Sequence, residues 1–293
     1  VLETVTWAAG LAAHSKNIQV FATVHTAFNH PIVVAKQLAT LDQLSNGRIG
    51  LNVVAGWNKP EYDAFGVDLP SEHSDRYAMA QEWFDYVTRL WREDHAFDWE
   101  GTFFRGKGVY GRPHPVQSRI PVINAAASEE GRAFAMRNAD FLFTPVFDFD
   151  QAKTTVDEIS QKSALVERDV NVLTFCTVVC RPTQQEAEDY LHWYANENAD
   201  WDAVDNLMTL QGMHAQSFTK EALSMFRDRF AAGHGGFPLV GTADHIADQL
   251  ARLSEAGIAG TTLSFVDYAK EFPYFRQEVL PRLVAKGLRT ETH

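Results

Sequence analysis

Cysteine is scarce here: the 293-residue chain has two, Cys176 and Cys180, both in one strand-like run. Their spacing of four extended residues is about 13 Å, beyond the reach of a disulfide, so a reduced protein is expected. Long apolar runs are absent, and none approaches the ~18 residues of a membrane span. Basic clusters are absent as well. With 26 Lys and Arg against 38 Asp and Glu, the net charge of −12 would repel phosphate backbones, which argues against nucleic-acid partners. The N-terminus, Val1-Leu2-Glu3-Thr4, lacks the basic region and cleavage site of a signal peptide, so a cytoplasmic location is expected. Eleven histidines occur without an H-E-x-x-H motif or a Cys/His cluster, so no metal site is assigned. The G-x-S-x-G elbow of serine hydrolases is missing too.

One motif is present only in its letters. Gly106-Lys107-Gly108-Val109-Tyr110-Gly111 spells G-x-G-x-x-G, which in a dinucleotide site lies between a strand and a helix. Here a hairpin pattern around Glu100-Gly101 precedes it. Arg112-Pro113-His114-Pro115 follows, and that run cannot open a helix. A glycine-rich turn is the expected reading.

What is there is a packed globular chain, 45% hydrophobic and 22% charged. Strand patterns fall at 18–24, 48–54, 121–126, 140–146, 170–179 and 261–266. Helical periodicity covers 2–13, 31–44, 74–93, 129–138, 149–163, 184–205, 218–231 and 243–255. Alternating strands and helices predict right-handed βαβ crossovers and a parallel sheet buried on both faces. No linker or repeat divides the chain, so residues 1–293 read as one domain. Two insertions are expected, a hairpin at 97–112 and a mostly helical excursion over 182–240. Gly233-His234-Gly235-Gly236 gives that excursion the flexibility of a lid. A closed α/β barrel has eight strands and only six are counted. The first two strands are therefore expected to belong to a strand–helix–strand segment preceding this sequence.

Such barrels keep their chemistry at the C-terminal ends of strands. Thr23 and His25 end the first strand, and Asn52 interrupts the apolar run Leu51-Asn52-Val53-Val54 before Ala55-Gly56-Trp57. A buried amide needs partners, from neighbouring backbone or from a ligand. Asn124-Ala125-Ala126-Ala127-Ser128 ends another strand, with Ser128 placed as an N-cap and free amides behind it able to hold a phosphate. Glu129 and Glu130 would repel that anion if they turned inward. Arg76-Tyr77 opens a further helix.

Taken together, these segments resemble the bacterial-luciferase-like flavin monooxygenases. The resemblance runs through Leu41-Asp42-Gln43-Leu44-Ser45-Asn46-Gly47-Arg48-Ile49-Gly50-Leu51-Asn52-Val53-Val54-Ala55-Gly56-Trp57, then Asn58-Lys59-Pro60-Glu61-Tyr62 and Glu72-His73-Ser74-Asp75-Arg76-Tyr77. It continues in Ala126-Ala127-Ser128-Glu129-Glu130-Gly131, Asn138-Ala139-Asp140, and Phe237-Pro238-Leu239-Val240-Gly241-Thr242 with Ala256-Gly257. The branch it resembles holds pyrimidine, dimethyl-sulfone and alkanesulfonate monooxygenases, where Asn-x-Val-x-Gly-Trp recurs.

The resemblance implies a TIM (β/α)8 barrel with insertions. It also implies reduced FMN supplied by a separate NAD(P)H:flavin reductase, with O2 captured as a flavin peroxide that oxygenates a small organic substrate. Thr23 and Asn52 match positions at the flavin's reactive edge. Glu61, Arg76, Tyr77 and Ser128 match flavin contacts, the last three on the phosphate side. His25 is the candidate for steering substrate or proton, in a pocket with Phe28 and Trp57. A homo-oligomer, dimer or tetramer, is the family's habit. Two rivals share the fold: a deazaflavin-dependent hydride-transfer enzyme and a non-catalytic flavin-binding relative.

Overall fold

A computed structural model describes residues 2–70, 72–126, 128–211 and 220–290, apart from the side chains of residue 73 and residues 220–222. The chain groups into two compact units, one of residues 1–142 with 163–170, the other of residues 143–162 with 171–293.

The first unit opens with helix α1 (Thr4–His14), strand β1 (Val20–His25), α2 (Pro31–Ser45) and β2 (Ile49–Val54). The short α3 (Lys59–Phe65) and long α4 (His73–Arg92) follow, then the hairpin strands β3 (Phe97–Glu100) and β4 (Arg105–Val109). Strand β5 (Val122–Ala125) and helix α5 (Glu129–Asn138) complete it. Strands β1, β2 and β5 run parallel, with Thr23 opposite Asn52 and Asn52 opposite Ile123. Val20, Ala22 and Val24 of β1 alternate into the core, and Val34 and Leu38 of α2 and Trp83 and Val87 of α4 are fully buried.

The most conspicuous charges of the family-like motifs are structural. Asp42, fully buried, accepts from the backbone and side-chain amides of Gln117 (2.9 and 2.6 Å), which ties α2 to the approach to β5. Arg48 donates to Ser15, Ile18 and Ala12 and so anchors the end of α1. Asp140 receives Arg119, Arg168 and the Val122 amide.

The hairpin forms where the sequence places it. Glu82 of α4 reaches into its turn and accepts from the amides of Thr102, Phe103 and Phe104 and from the Trp99 indole. Those bonds hold the Glu82 carboxyl below its usual range against the opposing pull of its own burial. The G-x-G-x-x-G run lies within and after β4, with no helix behind it. A Cβ on Gly106 would meet the Tyr86 hydroxyl, so the glycine serves packing within a strand, and the expected glycine-rich turn is corrected to mostly strand.

Strand β6 (Phe141–Phe143) lies where the chain passes into the second unit. There α6 (Phe149–Ala164), β7 (Asn171–Cys180), α7 (Gln184–His192) and a π-helical turn (Trp193–Glu197) lead to α8 (Trp201–Leu210) and α9 (Lys220–Gly233). Strand β8 (Phe237–Gly241), α10 (Ala243–Glu255), β9 (Gly260–Ser264) and α11 (Tyr268–Ala285) end it. Both β8 and β9 pair in parallel with β7. Cys176 and Cys180 are free and buried, and burial pushes both thiols up to about 11, so they remain unreactive packing groups.

Three expectations need correction. The described residues hold seven strands of the parallel series rather than six, because Phe237–Gly241 is a strand and not the tail of the 182–240 excursion. Pro238 hides it from propensity, but β8 pairs only with β7 among the described strands, and a proline is tolerated on an open edge. The periodicity over 184–205 is broken by the π-turn and by Asp200, which caps α8. Helix α11 has no counterpart in the sequence reading, since Pro273 and Pro281 interrupt its pattern; burial of Phe275 and Val279 outweighs them. Residues 218–219 of the helix predicted over 218–231 lie outside the described residues.

Candidate active site

The partly open face of β1 presents Phe21, Thr23 and His25, while its other face is core. Parallel register sets Thr23 beside Asn52, and the Asn52 amide donates to Thr23 Oγ1 over 3.2 Å. Asn52 Oδ1 is buried without a partner among the described residues. An orphan of this kind costs about 1–3 kcal/mol unless a ligand meets it. Asn124 repeats the pattern on β5: its amide donates to Val53 O (2.8 Å) and its Oδ1 is unpartnered among the described residues.

His25 ends β1. Its Nδ1 lies 3.5 Å from Glu61 Oε2 on α3, and its ring stacks on Phe28 with centroids 5.7 Å apart. Phe28 stacks in turn on Phe65 and meets Tyr62 edge-on. Tyr62 is the residue that sequence reasoning quoted in a motif but gave no role. Its buried hydroxyl donates to Ala55 O (3.0 Å) and lies where a Cβ on Gly56 would be, so the turn that carries Trp57 requires glycine, at φ +114°. Burial raises the Tyr62 hydroxyl pKa, opposed by the Arg76 charge and reinforced by Glu61.

Arg76 is 8% exposed and donates to Gly56 O (3.3 Å), while its Nε has no partner among the described residues. Its charge is also felt at Tyr77, whose hydroxyl pKa is raised mainly by burial, with Glu130 adding to the rise. The Tyr77 hydroxyl lies against Gly131 in the first turn of α5, the turn capped by Ser128 Oγ accepting from the Gly131 amide (3.2 Å). Glu129 and Glu130 are exposed, so neither carboxylate is buried at the helix start. Ala127 lies outside the described residues.

The expected residues therefore assemble in linked pairs within one unit: Thr23 with Asn52, His25 with Glu61 and Phe28, Arg76 with the Gly56 turn, and Tyr77 with the helix of Ser128. Trp57, 45% exposed, follows the Gly56 turn.

The sequence model of the family described as luciferase-like monooxygenase matches residues 1–260. An FMNH(2)-dependent dimethylsulfone monooxygenase of Pseudomonas fluorescens (strain Pf0-1) is 30% identical over 289 residues, 95% of this chain and 77% of that protein. The pyrimidine monooxygenase RutA of Acinetobacter baylyi is 29% identical, over 97% of this chain and 78% of that protein. Among solved structures, riboflavin lyase (RcaE) with modified FMN and riboflavin superposes with a TM-score of 0.87 at 25% identity, covering 99% of this chain and 75% of that one. On the extent of these matches, the fold is the α/β, TIM-barrel type and the chain belongs to the luciferase-like monooxygenase family.

Proposed function

We propose that the protein is a two-component monooxygenase using reduced FMN and O2 to oxygenate a small organic substrate. The observation that carries this reading is the Thr23–Asn52 pair, held in register on the open face of two parallel strands with one amide oxygen left over. A flavin fits the donors present. An amide and a hydroxyl suit its polar ring edge, while a buried guanidinium with a spare Nε and the capped helix start that neighbouring Tyr77 touches suit its phosphate.

Reduced FMN, when bound, supplies two electrons, so that one atom of O2 enters the substrate and the other leaves as water. This chain's residues do the rest. Arg76, Tyr77 and Ser128 hold the phosphate end, and Glu61 adds a further flavin contact. Thr23 and Asn52 hydrogen-bond the reacting edge without themselves reacting. His25 steers the substrate or a proton, while Phe28 and Trp57 line the pocket and exclude water.

The same reading supplies a separate NAD(P)H:flavin reductase as electron source, a cytoplasmic setting and a dimer or tetramer. Among the described residues no helix is long and apolar enough to cross a membrane. We read residues 1–293 as one luciferase-like domain whose helical insertion ends before β8. The decisive experiment mixes the protein with chemically reduced FMN and 18O2 across sulfur compounds, pyrimidines, amines and chelates. Substrate-dependent oxygen uptake with one 18O in the product is expected. Hydride transfer with a deazaflavin and no oxygen uptake would assign the first rival, and flavin binding without turnover the second.

A further inference from the structure

The His25–Glu61 pair has a geometry that sets the direction of any hydrogen bond His25 makes. His25 Nδ1 is buried without a hydrogen-bond partner, and its one ion-pair neighbour among the described residues is the Glu61 carboxylate at 3.5 Å, longer than an ordinary N–H···O bond. A carboxylate only accepts. A lone pair on Nδ1 would point at negative charge, whereas an N–H there is attracted to it. The backbone around the ring is pinned as well, with His25 O accepting from the Asn29 side chain (2.9 Å) and the Phe28 amide (3.3 Å). Phe28 covers one ring face at 16° to parallel. Nδ1 is thus the ring nitrogen on the Glu61 side, which leaves Nε2 as the nitrogen open to a bound molecule; the side chain is 23% exposed.

We infer that Glu61 is a positioning residue that holds neutral His25 in the Nδ1–H tautomer, so that Nε2 meets the bound molecule as an acceptor. In water a neutral imidazole favours the opposite tautomer, with the proton on Nε2. Without Glu61 the same ring would offer a donor. The assignment means that the molecule beside His25 presents an N–H or O–H to it, or yields a proton to it, rather than receiving a hydrogen bond. It also gives Glu61 a task toward His25 in addition to the flavin contact proposed above.

The inference rests on the reading that His25 faces the substrate, but its test needs neither cofactor nor substrate, so the two fail separately. The imidazole nitrogens of 15N-histidine-labelled protein are observed by NMR above the pH at which His25 is neutral, with its signals identified by their loss in His25→Gln. In the unaltered protein Nδ1 should carry the proton. In Glu61→Ala the Nδ1 and Nε2 shifts should exchange places. Glu61→Gln, which keeps an acceptor oxygen, should retain the original pattern, a rescue that a purely steric role for Glu61 would not give in the shifts. An Nε2–H tautomer in the unaltered protein, or an unchanged pattern in Glu61→Ala, overturns the assignment.

Discussion

Glu61 and Glu271 each meet a basic side chain at the C-terminal end of a strand, His25 at the end of β1 and Arg181 just beyond β7, yet the two pairs are built differently. Glu271 is 9% exposed and saturated: it accepts from Arg181 at 2.6 Å and from the amides of Val266 and Asp267 at 3.0 and 3.2 Å. Arg181 is itself spent on Cys180 O and on the face of Tyr190. Glu61 is about a third exposed, and among the described residues its ion-pair contact is a long one, to a nitrogen that no hydrogen bond satisfies. A charge whose bonding capacity is used up holds structure together. One with capacity left, beside other unfinished polar groups, is placed for something that arrives later. Asn52, Asn124 and Arg76 share that incompleteness with His25.

The contrast can be broken by mutation. Glu271→Ala leaves a half-buried guanidinium and two amides without their acceptor and should cost about 3 kcal/mol in urea unfolding, while Glu61→Ala should cost under ~1 kcal/mol. Equal losses would erase the distinction between the two pairs. Asn52→Ala should lower kcat/KM for oxygenation about a hundredfold with little change in stability, since it removes an unsatisfied oxygen along with a donor. Undiminished product formation would show that the Thr23–Asn52 pair is not part of the chemistry. Arg76→Ala should weaken FMN binding by about tenfold or more in a fluorescence-quenching titration, the scale of one lost charge-assisted hydrogen bond. An unaltered Kd would remove Arg76 from the phosphate side. Ser128→Ala should act least, losing about 1 kcal/mol of stability with the helix cap. FMN affinity should fall with it, and an unaltered Kd would leave Ser128 a helix cap and not a phosphate contact.

Much of the fold was legible because local patterns and long-range packing agree. The apolar strand run at 18–24 and the helical spacing of Ala35, Leu38 and Leu41 announce surfaces that the structure largely buries. Legibility failed where the two disagree. Pro238 on an edge strand and Pro273 and Pro281 within α11 carry local signals that tertiary burial overrides. The short α3 has too few residues for periodicity to register. In the site, the individual residues were readable but their partnerships were not. The carboxylate opposite His25 comes from 36 residues further along, and Tyr62, which shapes the Gly56 turn, bears no signature of that task.

The order of strands and helices, the chemical types at the strand ends and the family were therefore determined by the sequence itself, since each depends on neighbours in the chain or on runs of residues in fixed order. Which polar groups end up satisfied was decided only in three dimensions. Hydrogen-bond completion depends on what distant elements bring within about 3 Å. It is that completion which makes Glu271 a fastening and leaves Glu61 free to set the proton on His25.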